Sequence, residues 1–419
     1  MKQTRWKLWT LAAFLLWQVA LIGCASPMGA SLYLPDVAET TRTAQSQANN
    51  RFALDLLRQL QESTDKGNLF FSPYSLSTAL TMTYAGARGK TAAQMRQVLQ
   101  LQQADEEVHK ANAYLMLDLR NRGYNGAYRL SIANQLWGAQ DEVFLTPFLG
   151  LLQEQYQATM EQLDFAGNTE QARKRINDWA SQQTDGKIKE VLKEGIIDGN
   201  TRLVLTNAIH FQGLWATRFR KEETVTEDFF VTQERSVRVP MMKQALKAGY
   251  LKEGNLQLLS LDYQGNDTAM VLLMPAPGEL QKLIAKLSTT QLDSWLGRMN
   301  EDKVEVSLPR FQLRQDLDMN KTLQSMGMTD AFSSAADFSG MNGKKDLFIK
   351  AVLHKAVLSV DEEGSEASGV TTVVVNRKSA SGGDPLTFVA NRPFVLMIRD
   401  KKSGAILFLG QVTIPTQAP

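Results

Sequence analysis

The side chains best suited to bond chemistry are few in this chain. There are three histidines, His109, His210 and His354, and a single cysteine, Cys24. No HExxH or other closely spaced histidine pair suggests zinc. No GxSxG elbow presents a nucleophilic serine. Gly86-Ala87-Arg88-Gly89-Lys90-Thr91 imitates the end of a phosphate-binding loop, but the position that must be its first glycine is Tyr84. A structural turn is the better reading. Carboxylates are numerous and scattered, so no acid and base pair of the glycosidase kind stands out. The expectation is a protein that is not an enzyme and uses no metal and no cofactor.

Cys24 has a different chemistry open to it. Lys2, Arg5 and Lys7 give a basic start, and an apolar run from Trp9 to Ile22 follows, broken by Thr10 and Gln18. It ends in Leu21-Ile22-Gly23-Cys24. A basic region, an apolar core and small residues at the exit make an export signal. The exit resembles a bacterial lipobox, in which the cysteine is acylated and becomes the first residue. On this reading 1–23 is a lipoprotein signal peptide and Cys24 carries lipid. Ala25 next to it points to the outer membrane in a Gram-negative host. The net charge of +2 belongs to the precursor. After cleavage 43 basic residues face 44 acidic ones, or about −1. No concentrated basic face suggests nucleic acid. The mature chain then has no free thiol and no disulfide, so its core must hold it together.

A chain of 419 residues with 43% apolar and 21% charged content is ordinary for a globular protein. Beyond the N-terminus no run of about 18 apolar residues suggests a membrane span. Residues 24–48, rich in Ala, Ser, Thr and Gln, read as a tether. No second linker or repeat follows, so 49–419 reads as a single domain. Phe52, Leu56 and Leu60 recur at helical spacing. Ser72-Pro73 is a cap with proline at the first helical position, ahead of Leu76, Ala79, Leu80 and Thr83 on one face. Thr91 to Gln94 reads as a capping box before Met95, Val98 and Leu99. Short β-rich runs come later, at 203–211, 270–274, 304–308, 394–398 and 406–409. Helices mostly early and strands mostly late predict an α+β fold.

A family resemblance covers about residues 49 to 416. Asn68-Leu69-Phe70-Phe71-Ser72-Pro73-Tyr74-Ser75-Leu76, Ala79-Leu80 and 86–91 resemble the N-terminal signature of the serpins. Ile176-Asn177-Asp178-Trp179 with 184–188, Leu205-Thr206-Asn207-Ala208-Ile209-His210-Phe211-Gln212-Gly213-Leu214-Trp215 and Val239-Pro240-Met241-Met242 are similar to later serpin segments. So are 326–332, His354-Lys355-Ala356, Asp361-Glu362-Glu363-Gly364-Ser365-Glu366-Ala367 and Asn391-Arg392-Pro393-Phe394. They occur in serpin order, and together they are very specific.

The resemblance implies about nine helices, three β-sheets and an exposed reactive-centre loop from Glu362 to about Phe388. It implies a serine protease inhibitor. The protease attacks the loop and becomes an acyl-enzyme, and the cut loop enters the main sheet as an extra strand. The hinge would be Glu362, Gly364, Ser365, Glu366, Ala367, Ser368 and Gly369. Ser72, Ser75, Asn207 and His354 resemble the polar cluster beneath the sheet that controls its opening. Trp215, Arg310 and Glu362 resemble the group where the loop enters, with Arg310 and Glu362 free to pair. Serpin spacing puts the reactive bond at Lys378-Ser379, with Arg377 as the alternative, which implies a trypsin-like partner with Lys/Arg preference. The loop is a few residues longer than usual, so the bond could move into 379–383. Val373 to Val375 could invite an elastase-like enzyme. A non-inhibitory serpin, acting as a chaperone or binding scaffold, is the other reading. The partners expected are one protease and, through Cys24, a membrane; the protein itself is expected to be a monomer.

The residues themselves bear on insertion. After Gly364, alternate positions are Ser365, Ala367, Gly369, Thr371, Val373 and Val375, none of them charged. A strand sends alternate side chains to opposite faces. One face of this segment can therefore be buried without burying a charge, and Glu366 stays on the other.

Overall fold

Phe52, Leu56 and Leu60, at helical spacing, are all buried in the first helix. The computed structural model describes residues 33–63, 67–124, 128–365 and 386–416. Cys24, Glu366, Ala367, Ser368, Gly369, Arg377, Lys378 and Ser379 lie outside the described residues. The chain divides into Met1–Tyr33 and Leu34–Pro419, and the helices and strands described belong to the second unit.

The helices are α1 (Glu39–Ser63), α2 (Pro73–Tyr84), α3 (Gly89–Val98), α4 (Asp105–Tyr124), α5 (Thr146–Tyr156), α6 (Thr169–Gln183), α7 (Leu280–Lys286), α8 (Thr289–Arg298), α9 (Asn320–Ser325) and α10 (Ser339–Asn342). The strands are β1 (Leu69–Phe71), β2 (Tyr128–Ala139), β3 (Met160–Leu163), β4 (Leu203–Leu214), β5 (Val225–Phe230), β6 (Ser236–Glu253), β7 (Leu256–Asp262) and β8 (Thr268–Met274). They continue as β9 (Asn300–Pro309), β10 (Phe311–Asp318), β11 (Ile349–Val360), β12 (Gly364–Ser365), β13 (Leu386–Val389), β14 (Phe394–Asp400) and β15 (Ile406–Val412).

The α+β expectation holds. Among the described residues the strands form two hydrogen-bonded networks where three sheets were expected, of nine and six strands. The reason is β6, which is 18 residues long. Its first part pairs with β5, its middle with β9 and its end with β7, so one strand ties two sheet regions together.

Of three local expectations, one holds and two do not. Ser72 does cap α2, its hydroxyl accepting from the Ser75 N–H at 3.2 Å. Thr91 does not cap α3, which starts at Gly89. Thr91 instead accepts a bond from the Asp337 N–H, and Gln94 turns to Asp330. Part of the stretch read as a tether, 24–48, is helix instead: α1 starts at Glu39 and buries Gln45, Ser46 and Ala48. Alternating small polar residues hid that helix, since its packing comes from tertiary contact and not from a strong apolar stripe. The Gly86 turn is structural: its carbonyl accepts from the Gly340 N–H, and a Cβ there would collide with Met341.

The six-stranded sheet positions the site. Its order is β10-β11-β12-β4-β2-β3, and β11 also pairs directly with β4. β4 and β11 run parallel, from Ile349 opposite Leu203 to Val357 opposite His210. β4 is buried from Leu203 to Phe211, as a parallel strand covered on both faces must be. On one face lie α6 and the segment after it, with Ile176, Trp179, Val191 and Leu192 packed over Val204, Ala208 and Leu353.

Candidate functional site

The seam between β4 and β11 carries two polar groupings. The first lies at mid-strand. His354 and Asn207 are direct cross-strand partners. Asn207 in turn faces Asn134 of β2. All lie above the start of α2.

Burial drives the His354 pKa down to about 3, so the ring is neutral near pH 7. The Ser72 N–H donates to Nε2 at 3.0 Å. The proton therefore sits on Nδ1, which donates to Asn207 Oδ1. The Asn207 amide then donates to Ser75 Oγ and to Asn134 Oδ1. Ser75 Oγ donates to Asn134 Oδ1 at 3.2 Å, and Ser72 Oγ donates to the Leu407 carbonyl at 2.6 Å. One bond chain thus crosses three strands and ties them to a helix cap. A strand entering between β4 and β11 must break the His354–Asn207 link.

The second grouping lies where the seam ends. Beyond Val360 the chain turns back within Asp361 to Gly364. The Asp361 N–H donates to the Gly364 carbonyl at 2.9 Å. Its carboxylate accepts from the N–H of Glu363 at 2.8 Å and of Gly364 at 3.1 Å. Burial raises the Asp361 pKa against those bonds. The turn delivers β12 between its neighbours. Ser365 pairs with Val360 on one side and Gly213 on the other, antiparallel to both strands.

Position 364 has to be glycine. A Cβ there would stand 2.0 Å from the Gly213 carbonyl oxygen. Ser365 is fully buried, its hydroxyl bonded to Tyr263 at 2.6 Å. Tyr263 stacks on Trp215 with centroids 4.7 Å apart. Trp215 Nε1 donates to the Asp361 carbonyl at 2.9 Å. The Glu362 carboxylate, almost wholly buried, accepts from Thr224 at 2.7 Å. Arg310 stands 3.9 Å from it on a half-exposed side chain, so the expected pair is a loose surface contact of small energy.

The structure therefore brings Ser72, Ser75, Asn207 and His354 into one cluster, and Trp215, Arg310, Glu362, Gly364 and Ser365 into another. Sequence reasoning missed Asn134, Tyr263 and Thr224. Asn134 had a signal: asparagine is depleted in strands, and here it sits inside one. Among the described residues no group of three or more His, Cys, Asp or Glu could hold a metal ion, and no helix is long and apolar enough to cross a membrane.

Comparison with known proteins agrees with this geometry. A family model described as Serpin (serine protease inhibitor) matches residues 47–415. The chain is 41% identical over 380 residues to a leukocyte elastase inhibitor of Bos taurus, covering 88% of this chain and 99% of that one. It is 40% identical over 378 residues to Serpin B6 of Macaca fascicularis, with the same coverage. Among solved structures, human thyroxine-binding globulin complexed with its hormone superposes with a TM-score of 0.82 at 29% identity, covering 90% of this chain and 100% of that one. Uncleaved ovalbumin gives 0.80 at 28%, covering 89% and 100%.

Proposed function

The chain belongs to the serpin family, a family of protease inhibitors, and we propose that it traps a trypsin-like serine protease through the loop from Glu362 to about Phe388. The protease serine attacks the Lys378 carbonyl carbon, the bond to Ser379 breaks, and the Ser379 amine leaves. Lys378 stays esterified to the protease. The freed segment then enters between β4 and β11.

The observation that carries this reading is β12, a strand start already seated between those two strands. A third strand there runs antiparallel to both neighbours and gains ladder bonds on both edges. Residues 366–377 could form on the order of ten new bonds worth about 1 kcal/mol each. That rivals the whole stability of an ordinary domain, roughly 5–15 kcal/mol. The uncut form then persists by its barrier, which the His354–Asn207 chain helps to set.

The test is incubation with trypsin, a denaturing gel and mass spectrometry of the released peptide. We expect an SDS-stable complex and a C-terminal fragment starting at Ser379. A start at Lys378 would move the bond to Arg377-Lys378. The names of the relatives and the run Val373 to Val375 make elastase the second protease to try. Clean cleavage without complex by either enzyme would favour a non-inhibitory scaffold or chaperone, the reading to which the likeness with thyroxine-binding globulin lends weight.

We further propose that the protein is exported and held in a bacterial cell envelope as a monomer, by lipid on Cys24, with 24–38 as its tether. The support is the basic start, the apolar run and the single cysteine after Gly23. Labelled palmitate is expected to enter the wild type and not Cys24→Ser. Equal labelling of both would remove the proposal.

A further inference from the structure

The turn that delivers β12 is gripped from one side by the segment that follows β4. Trp215 and Phe219 donate backbone N–H bonds to the Glu363 and Glu362 carbonyls, both at 3.0 Å. Those bonds hold the turn's backbone. A separate contact holds its charge. The Glu363 carboxylate, with a side chain only 11% exposed, is shared between Arg218 at 2.9 Å and Lys221 at 3.1 Å. Arg218 is 23% exposed and Lys221 68%.

We infer that Glu363, clasped by Arg218 and Lys221, is a positioning residue that keeps Gly364 and Ser365 seated in the sheet before any protease arrives. Among the described residues β12 consists of Gly364 and Ser365, and their pairing is to Val360, Gly213 and Leu214. Gly364 brings no side chain to the contact, and the Ser365 hydroxyl makes one bond, to Tyr263. Glu363 is the residue immediately before the strand. Its two cations sit three residues apart on the segment leaving β4, the strand that β12 must lie against. Closing this clasp fixes the turn against β4, and Gly364 then has no route except alongside Gly213.

The consequence rests on the insertion reading above. Strand addition is slow to start and fast to extend when the first contacts must be made before later ones help. A seated Ser365 supplies those first contacts in advance. The clasp therefore speeds capture relative to hydrolysis of the acyl-enzyme. Part of it is exposed, so salt weakens it.

Two measurements separate the clasp from the insertion reading. The first needs no protease: hydrogen exchange of the backbone at 213–215 and 363–365 in the uncut full chain. We expect protection in the wild type and exchange about tenfold faster in Glu363→Gln, the size of one lost charge-assisted bond. Lys221→Gln, on an exposed side chain that folding does not need, should give a smaller increase, and Glu363→Asp a partial recovery. Salt at about 1 M, where the screening length is about 3 Å, should loosen the wild type and leave Glu363→Gln unchanged. Equal exchange in wild type, Glu363→Gln and Lys221→Gln would overturn the clasp. The second counts inhibitor molecules consumed per trypsin trapped. That number should rise several-fold in Glu363→Gln, and stay unchanged if insertion starts elsewhere, which would overturn the kinetic role. A wild type that traps no protease while keeping the exchange pattern would refute the inhibitory function and leave the clasp standing.

Discussion

His354 holds its proton on Nδ1 and lends Nε2 to Ser72, and a second proton on the ring would destroy the latter bond. Its pKa is about 3 when buried, against about 6.5 in an unfolded chain. Between those values the unfolded or opened state binds the extra proton and the closed sheet does not. Stability therefore falls as pH drops from about 6.5 towards 3, by up to about 1.4 kcal/mol per unit, and is untouched above that window. His109, buried against Tyr156 with a pKa near 4, adds a similar slope over a shorter range. Thermal melts at pH 7.5 and 5 should show a smaller acid penalty in His354→Gln than in the wild type. Identical penalties would mean that His354 does not sense opening. Asn134→Ala should cost roughly 1–3 kcal/mol, since it leaves the Asn207 amide and Ser75 short of an acceptor. Such a variant should form polymers on mild warming, read by size exclusion. Of this cluster, Ser72, Ser75, Asn207 and His354 were legible because they sit in recognisable motifs. Asn134 carries only the signal of an asparagine inside a strand, and strand register brings it to Asn207; Tyr263, in the other grouping, reaches Ser365 by side-chain packing alone.

At the scale of elements, the proposed insertion needs what the seam offers: β4 and β11 are parallel neighbours with an antiparallel start lodged at one end. Ser365→Arg should force a charged side chain into a fully buried place, where an unpaired charge costs several kcal/mol. The hinge would be expelled while the bait remained. The variant should be cleaved by trypsin as a substrate, with the SDS-stable complex lost. Undiminished complex in Ser365→Arg would reject insertion. The alternation of small residues after Gly364 marked Ser365 as an inward position, and it is buried. The return turn of Asp361 to Gly364 and the gripping segment 215–224 carry no period or propensity that announces them. The starts of α1 and α3 lie where residues from elsewhere in the chain meet them: the Thr41 carbonyl accepts from Gln103 Nε2, and the Arg88 N–H donates to the Asp337 carbonyl.

For the whole molecule, the order of elements and the α+β class were legible because long apolar strands and capped helices each carry their own local signal. The merging of sheets through β6 was not, since a strand that serves three partners looks in sequence like any long strand. If the cut loop inserts as proposed, the uncut fold stores energy. Opening the seam must break the His354–Asn207 link, and filling it must return more than was lost. At this chain length about 1 kcal/mol moves the melting midpoint by roughly 1–2 °C. A gain of order 10 kcal/mol from strand insertion therefore predicts a large shift. The direct measurement is the thermal unfolding of the protein before and after a single cut within 366–385, with both fragments retained. The account predicts a midpoint at least about 10 °C higher in the cut form. A cut form that melts at the same temperature, or lower, would contradict it.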